Sequence, residues 1–268
     1  MLAGDVTVKG PAETPSPYAA SVAWGRADLD VPGWPADAGP RQFRGALLHA
    51  LMPALPGGWH SDWNGRDNDD GDTLHRRPPI LYRVHGGHPS VYAIGPLAHQ
   101  HIAALGRHLR ALHGPDGTVY GVDGVALTMQ TDTVKVLPGD FRRYRLRAPL
   151  YPPMAAYRRR PRQDRAPSVW PGPGAAGPER AAWAGWVLVS SVTSWLVTAG
   201  VDVFAKHPLS IQVLEYRDRP GLTWERASRD IREVRTGFDA TFTANVALPP
   251  GIGLGARCSE GYGEVEPC

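Results

Sequence analysis

Residues 80–113 read ILYRVHGGHPSVYAIGPLAHQHIAALGRHLRALH, two short apolar runs followed by a longer periodic one. The runs at 80–85 and 90–95 have the length and composition of β-strands, and Gly86-Gly87 between them predicts a hairpin turn. Beyond the second run, apolar residues recur at the spacing of one helix face up to residue 113. These residues are Ile102, Leu105, Leu109 and Leu112. The stretch therefore predicts a strand, a second strand and a helix.

The flanking sequence extends this unit in both directions. Residues 18–30 alternate as a strand does, Pro40 opens a helix, and residues 125–136 predict a further strand. The apolar stripe of the helix is Phe43, Leu47 and Leu51. The order of strand, helix, strand, strand, helix and strand is the ferredoxin-like arrangement. We expect one face of its sheet to be open, as in modules that bind RNA there.

The second half alternates strands and helices less regularly and shows no sequence repeat of the first. We therefore predict an α+β protein of two tandem ferredoxin-like (RRM-like) modules, 1–138 and 139–268. The predicted elements of the second module are a strand at 142–151, a helix at 179–199, strands at 202–216 and 238–248, and a short helix at 223–234.

Charge is distributed unevenly along the chain. The net charge is +3, but residues 141–165 contain nine arginines and one acidic residue, Asp164. Arginines interleaved with aromatic residues are typical of a surface that grips phosphates and stacks bases. A solvated arginine-rich loop is the alternative. The RNA-binding candidates in this block are Arg142, Arg143, Arg145, Arg147, Arg158, Arg159, Arg160 and Arg162.

Several other classes of protein are disfavoured. Two cysteines, Cys258 and Cys268, are too few for a disulfide framework or a cysteine zinc site, which fits a reducing cytoplasm. Residues 183–201 carry no charge, but their serines, threonines and glycines favour a buried helix over a membrane span. The acidic run at 67–72 fails the calcium-loop register, and no phosphate-binding glycine loop of a nucleotide site is present.

The most specific feature lies near the C-terminus. In GIGLGARCSEGYGEV (251–265), the triplets 253–255 and 261–263 each read glycine, apolar residue, glycine, and Arg257 lies between them. Glycine permits close approach and positive φ, and exposed amides beside an arginine suit an RNA phosphate. The segment resembles the C-terminal glycine-rich loop of the CRISPR-associated endoribonucleases that process repeat RNA, members of the RAMP superfamily. The RNA-binding candidates here are Gly253, Gly255, Arg257, Gly261 and Gly263.

The resemblance implies a chemistry. Members of this family cut RNA without a metal or other cofactor: the 2′-hydroxyl attacks the adjacent phosphate and leaves a 2′,3′-cyclic phosphate, which requires a base, an acid and cations. They often use a histidine on or just after the first helix, which here is His49 or His60. Other members rely on arginines and tyrosines, and both schemes stay open. The matching positions are Arg26, Arg41, Arg44 and Tyr18.

The resemblance also implies partners. We expect CRISPR repeat RNA, retained after cutting, and other subunits of an effector complex, with no membrane contact. Departures in the first half suggest a divergent branch, such as the type IV systems. A non-catalytic RAMP subunit that binds guide RNA is the main alternative, and an unrelated nucleic-acid-binding module is the second. His99, His101 and His108 on the second helix are interpreted as solvated, with a basic face toward RNA as the alternative. No adjacent carboxylate pattern supports a metal site at His85, His88, His99 and His101.

Overall fold

The computed structural model describes residues 4–7, 18–64, 79–114, 116–137, 139–152, 177–199, 209–226, 231–249, 251–255, 258 and 261–268. The strands are β1 (Gly4–Thr7), β2 (Tyr18–Asp30), β3 (Ile80–His85), β4 (His88–Ile94), β5 (Ala111–His113), β6 (Val119–Gly121), β7 (Gly124–Val136), β8 (Arg142–Leu146), β9 (Ser210–Arg226), β10 (Ile231–Ala244) and β11 (Val265–Pro267). The helices are α1 (Pro40–Leu51), α2 (His60–Asn64), α3 (Ala98–His108) and α4 (Gly177–Thr198), with short 3₁₀ turns at Met52–Ala54 and Gly57–Trp59.

The first module has the predicted ferredoxin-like topology. Its antiparallel sheet has the strand order β3-β4-β2-β7, with α1 and α3 packed on one face. The predicted stripe of α1 is buried, and α3 approaches β2 so closely that a Cβ on Gly25 would lie 2.7 Å from Ile102. Glycine at this position therefore lets the helix lie directly on the strand.

The second module repeats this strand order. Its sheet runs β9-β10-β8-β11, and β1 from the start of the chain pairs with the outer edge of β9. α4 covers one face, where Trp183 meets Phe238 edge-on and Arg180 pairs with Asp218. The position of the second helix of a ferredoxin-like module is occupied by the glycine-rich chain between β10 and β11. The prediction of two tandem modules is confirmed.

Helix α4 contains most of the uncharged stretch predicted to be buried. Within the described ranges it is the helix long and apolar enough to cross a membrane, and 61% of its most apolar window is buried. Val187, Leu188 and Val192 pack into the core of the second module. The helix therefore serves as a core element of this fold.

The predicted extent of the second helix is wrong at its C-terminal end. α3 stops at His108, and residues 111–113 form β5, paired with β6. The Arg110 guanidinium donates to the carbonyls of Gly106, Arg107 and Leu109, which caps the helix where the backbone turns extended. Leu109 and Leu112 are buried in the structure, as they would be on the apolar stripe of the predicted helix. Apolar spacing alone therefore could not distinguish a longer helix from a helix followed by a strand.

The short helix predicted at 223–234 is also wrong. The described residues 223–226 and 231–234 belong to β9 and β10, which pair along a long hairpin from Ile231 opposite Arg226. β-branched and aromatic residues in this region favour the strand once a cross-strand partner is present. In β10, the predicted alternation is confirmed at the buried residues Phe238, Ala240, Phe242 and Ala244.

The expectation of an open sheet face in the first module is wrong for most of that face. Val22, Trp24 and Ile94 are buried in one core with residues of the second module. The exposed remainder lies around Arg26 and Thr128 at the other end of the strands. The apolar residues on this face are covered because the two sheets share their core.

A buried arginine on β3 joins the two modules. The guanidinium of fully buried Arg83 donates to the carbonyls of Cys258 at 2.8 Å and Gly251 at 3.2 Å. Its Nε lies 3.6 Å from Oε2 of Glu264, which balances the charge. Burial lowers the pKa of the Arg83 guanidinium, and Glu264 opposes that shift. The interaction fixes the glycine-rich segment against β3.

Replacing Arg83 by methionine is expected to lower the free energy of unfolding by about 3–5 kcal/mol, because Glu264 and two carbonyls would stay buried without the guanidinium. Urea unfolding followed by tryptophan fluorescence measures this change. Arg107→Met, at an exposed position of α3, is the matched control and should change stability by less than about 0.5 kcal/mol. Equal unfolding midpoints for the two variants would contradict the role given to Arg83.

Candidate functional site

The N-terminus of α1 faces the glycine-rich segment. Pro40 is the first helical residue, and the amide of Gly39 donates to Oε1 of Gln42 at 2.9 Å, which sets the start of the helix. A Cβ on Gly261 would lie 2.8 Å from Cγ of Pro40. The cations predicted in the first turn of α1 are therefore close to this contact. Arg41 is exposed, and the Arg44 guanidinium lies over the ring of Tyr82.

The glycine-rich segment folds back on itself because its glycines allow contacts that no other residue would. The amide of Leu254 donates to the carbonyl of Gly263, and a Cβ on Gly263 would lie 1.9 Å from the Leu254 carbonyl oxygen. Gly255, Gly261 and Gly263 all have positive φ. The amides of Gly261 and Gly263 donate to protein carbonyls. Hydrogen bonds within the protein therefore occupy both amides, and close packing fixes the shape of the segment.

A cleft of about 300 Å³ lies between β3, the end of β8 and this segment. We call it the inter-module cleft. Nε2 of His85 is 3.2 Å from Oε2 of Glu264, whose side chain is only 6% exposed, whereas the His85 side chain is 34% exposed. The imidazole of His85 thus contacts a buried carboxylate through Nε2, and another part of the ring is exposed to solvent. The cleft is lined by Pro40, Arg83, Val84, His85, Arg147, Ala148, Pro149, Gly261, Tyr262 and Glu264.

Strand β8 carries the predicted row of arginines. Tyr144 and Leu146 are buried, so Arg143 and Arg145 point to the opposite, exposed face. Nη2 of Arg143 lies 3.8 Å from Oε1 of Glu215, and Arg145 forms an ion pair with Glu266. Such exposed ion pairs contribute little to stability. Arg143 and Arg145 therefore share one exposed face of β8, and Arg147 follows the end of the strand.

The arginine row leads to the inter-module cleft. A second depression of about 510 Å³ is lined by Arg145, Leu146, Arg147 and Glu266. Arg147 borders both depressions, and its amide donates to the carbonyl of Glu264 at 2.8 Å. The two depressions are therefore neighbours, and we call them together the arginine groove.

The histidines predicted from the first helix lie elsewhere. His49 is exposed on α1, with its ring 5.1 Å from that of His113. It lies roughly 13 Å along the helix axis from Pro40, at 1.5 Å per residue. His60 begins α2 and is half-buried; its Nε2 has no hydrogen-bond partner among the described residues. Arg26 lies on β2 over the ring of Tyr92 and bonds to Asp28.

The remaining histidines have different hydrogen-bond partners. His101, predicted to be solvated, is buried: its Nδ1 accepts from Nε1 of Trp63, and its Nε2 faces Asp62 at 3.2 Å. Burial lowers the pKa of His101, although Asp62 opposes the shift. His99 bonds to the carbonyl of Gln130 on β7. His85 faces Glu264, so His85, His99 and His101 each have a separate partner and do not converge on one point.

Several candidates fall outside the described residues. These are Arg158, Arg159, Arg160, Arg162 and Arg257, together with the acidic run at 67–72; of Tyr18 only the backbone is described. The structure therefore places Arg142, Arg143, Arg145 and Arg147 of the predicted RNA-binding set, along with the four glycines.

The pairing of His85 with Glu264 is the part of the site that the sequence pattern missed. The two residues are 179 positions apart, so no local spacing connects them. Glu264 follows Gly263 directly. Its position next to the glycine-rich motif is the local signal by which the sequence could have indicated Glu264 as a site residue.

Two solved structures share this fold at low sequence identity. A crystal structure of Cas6b superposes with a TM-score of 0.65 and 14% identity, covering 93% of this chain and 100% of that chain. A crystal structure of the CRISPR RNA processing endoribonuclease Cas6b superposes with a TM-score of 0.54 and 12% identity over the same shares. No protein-family model and no curated protein matches the sequence. The fold expected from the resemblance is thus confirmed along nearly the whole chain.

Substituting Gly253 by alanine is expected to destabilise the protein by about 1–3 kcal/mol, since the chain is overpacked there. The new Cβ would lie 2.6 Å from Cβ of Cys258 and 2.9 Å from the Arg83 guanidinium. Gly45→Ala is the matched control, because nothing lies within 4 Å of its Cβ position on α1. It should stabilise the helix by up to about 1 kcal/mol. Thermal unfolding separates the two, and a neutral Gly253→Ala would refute the packing role.

Proposed function

We propose that this protein is a metal-independent endoribonuclease that binds CRISPR repeat hairpin RNA, cuts it to give mature guide RNA and retains the product. The observation that carries the proposal is the arginine groove leading into the inter-module cleft, on a fold that the Cas6b structures share. A row of exposed guanidinium groups beside a small cleft suits a polyanion held along one surface and cut at one position.

The arginines of the groove suit the backbone of an RNA stem. Arg143 and Arg145 project from a rigid strand, and their carboxylate partners are themselves exposed or half-buried. RNA phosphates can displace such screened surface pairs, because each exposed pair contributes only about 0–1 kcal/mol. Arg147 extends the row past the end of β8, and Arg142, on the same side of the strand as Tyr144, is proposed as a further contact. The proposal includes Arg158, Arg159, Arg160, Arg162 and Arg257 as further RNA contacts.

The glycines contribute to this function through shape. The amides of Gly261 and Gly263 are engaged inside the protein, so we propose that the glycines position Arg147, Tyr262 and the N-terminus of α1 around the cleft. Arg41 and Arg44 then offer cations beside the N-terminus of α1, on one side of a bound phosphate. Arg26, His49 and His60 stay candidate catalytic residues, to be tested by substitution.

The wider setting belongs to the same proposal. A type IV system, association with other effector subunits and a cytoplasmic location are proposed, with guide-RNA binding by a non-catalytic subunit as the competing function. Both functions use the same groove, and they differ in whether the bound RNA is cut.

RNA binding through β8 is tested by its salt dependence. Arg143→Gln together with Arg145→Gln should weaken binding of a labelled repeat hairpin and reduce the slope of log K against log salt by up to about 2, since each lost phosphate contact removes close to one released counterion. Arg107→Gln on α3 is the control and should leave the slope unchanged. Fluorescence anisotropy across a salt series measures both, and an unaltered slope in the double variant would refute binding through β8.

Cleavage is tested with a panel of 5′-labelled repeat hairpins incubated with the purified protein and EDTA. The expected result is a single cut at the base of the stem of the repeat bound most tightly, leaving a 2′,3′-cyclic phosphate. A 2′-deoxy substitution at the cut position should abolish cleavage and preserve binding. Tight binding of intact RNA would instead identify a guide-RNA-binding subunit, and neither binding nor cutting would reject both functions.

A further inference from the structure

The inter-module cleft contains groups suited to proton transfer that the proposed function does not yet assign. His85 is at the end of β3, with Nε2 facing the buried Glu264 and with a third of its side chain exposed. Glu264 is held in turn by Arg83, which is fully buried. A carboxylate fixed behind an imidazole sets the tautomer and orientation of the ring and stabilises its protonated form.

The cleft also contains a cation for a phosphate. Arg147 borders the cleft opposite His85, and its main chain is fixed by the hydrogen bond from its amide to the Glu264 carbonyl. Its side chain is exposed, unlike that of Arg83. The cleft volume of about 300 Å³ is at the small end of the range for ligand sites, roughly 300–1,000 Å³. It therefore suits one ribose-phosphate linkage at the end of the arginine groove.

We infer that His85 is the general base of the proposed RNA cleavage, that Glu264 positions it, and that Arg147 binds the scissile phosphate in the inter-module cleft. The inference rests on the proposed function and adds a catalytic residue to it. With Nε2 engaged by Glu264, Nδ1 is the nitrogen that faces substrate. Among the described residues, the ring of His49 contacts that of His113, and Nε2 of His60 has no hydrogen-bond partner.

The step is a transesterification without added water. Nδ1 of His85 takes the proton of the 2′-hydroxyl, and the 2′-oxygen forms a bond to phosphorus. The bond from phosphorus to the 5′-oxygen breaks, and that oxygen leaves with the electron pair and takes a proton from solvent. His85 then returns its proton to solvent, so the products are a 2′,3′-cyclic phosphate and a 5′-hydroxyl. Arg147 stabilises the charge that develops on the phosphate oxygens.

The pH dependence follows from the groups around His85. Glu264 faces the imidazole, and Arg83, Arg147 and Tyr262 line the same cleft. On the neighbouring strand His88 is directly opposite in register. Since a general base acts in its neutral form, the cleavage rate should rise with pH and then level off.

Single-turnover cleavage of the tightest-bound repeat hairpin, measured from pH 5 to 9, tests the inference. His85→Gln should slow cleavage by about 10²–10⁴-fold and remove the rising acidic limb, while RNA affinity changes by less than about threefold. His108→Gln, exposed on α3, is the matched control and should keep the wild-type rate and profile. Glu264→Gln, if folded, should slow cleavage while RNA affinity stays close to that of the wild type, because the imidazole loses the carboxylate that orients it.

The outcomes separate this inference from the proposed function. If the wild type cleaves and His85→Gln keeps its rate and acidic limb, His85 is not the base, although the endoribonuclease stands. If His85→Gln is slow only because it binds RNA weakly, the residue has a binding role and the inference fails. A wild type that binds every repeat tightly and cuts none overturns both. A slow His85→Gln that binds normally, with a flat pH profile, supports the assignment.

Discussion

The buried ion pair between Arg83 and Glu264 is the constraint on which the rest of the site depends. A guanidinium without solvent contact requires a compensating charge and acceptors for its protons. Here the acceptors are carbonyls of the glycine-rich segment and the charge is a glutamate at its end. β3 of the first module is therefore bound to the C-terminal segment of the second, which fixes how the modules meet.

The glycines follow from this attachment. A chain that approaches Arg83, Pro40 and its own return strand within contact distance has no room for Cβ atoms. The same close packing brings the end of β8, with Arg147, beside the imidazole of His85. In the described residues, the glycine-rich segment thus brings distant parts of the chain together around a cleft, and its contact with RNA stays a prediction.

The fold was largely predictable because periodic apolar residues identify elements whose packing agrees with their local preference. In the first module every strand of the ferredoxin-like sheet and both of its helices were anticipated, and strands were predicted at the positions of β8 and β10. The errors at 111–113 and 223–234 arose where the described backbone pairs with another strand. A cross-strand partner decided those segments, and a partner lies outside any local window.

For the site, the sequence by itself determined composition: an arginine row on one strand face, a glycine-rich segment near the C-terminus, and cations in the first turn of α1. Only the tertiary structure decided which of these groups meet. It placed His49 away from the glycine-rich segment and brought His85, 179 residues earlier in the chain, to Glu264. The physical reason is that local patterns report which face of an element is buried, whereas the neighbours of that face depend on how two modules pack.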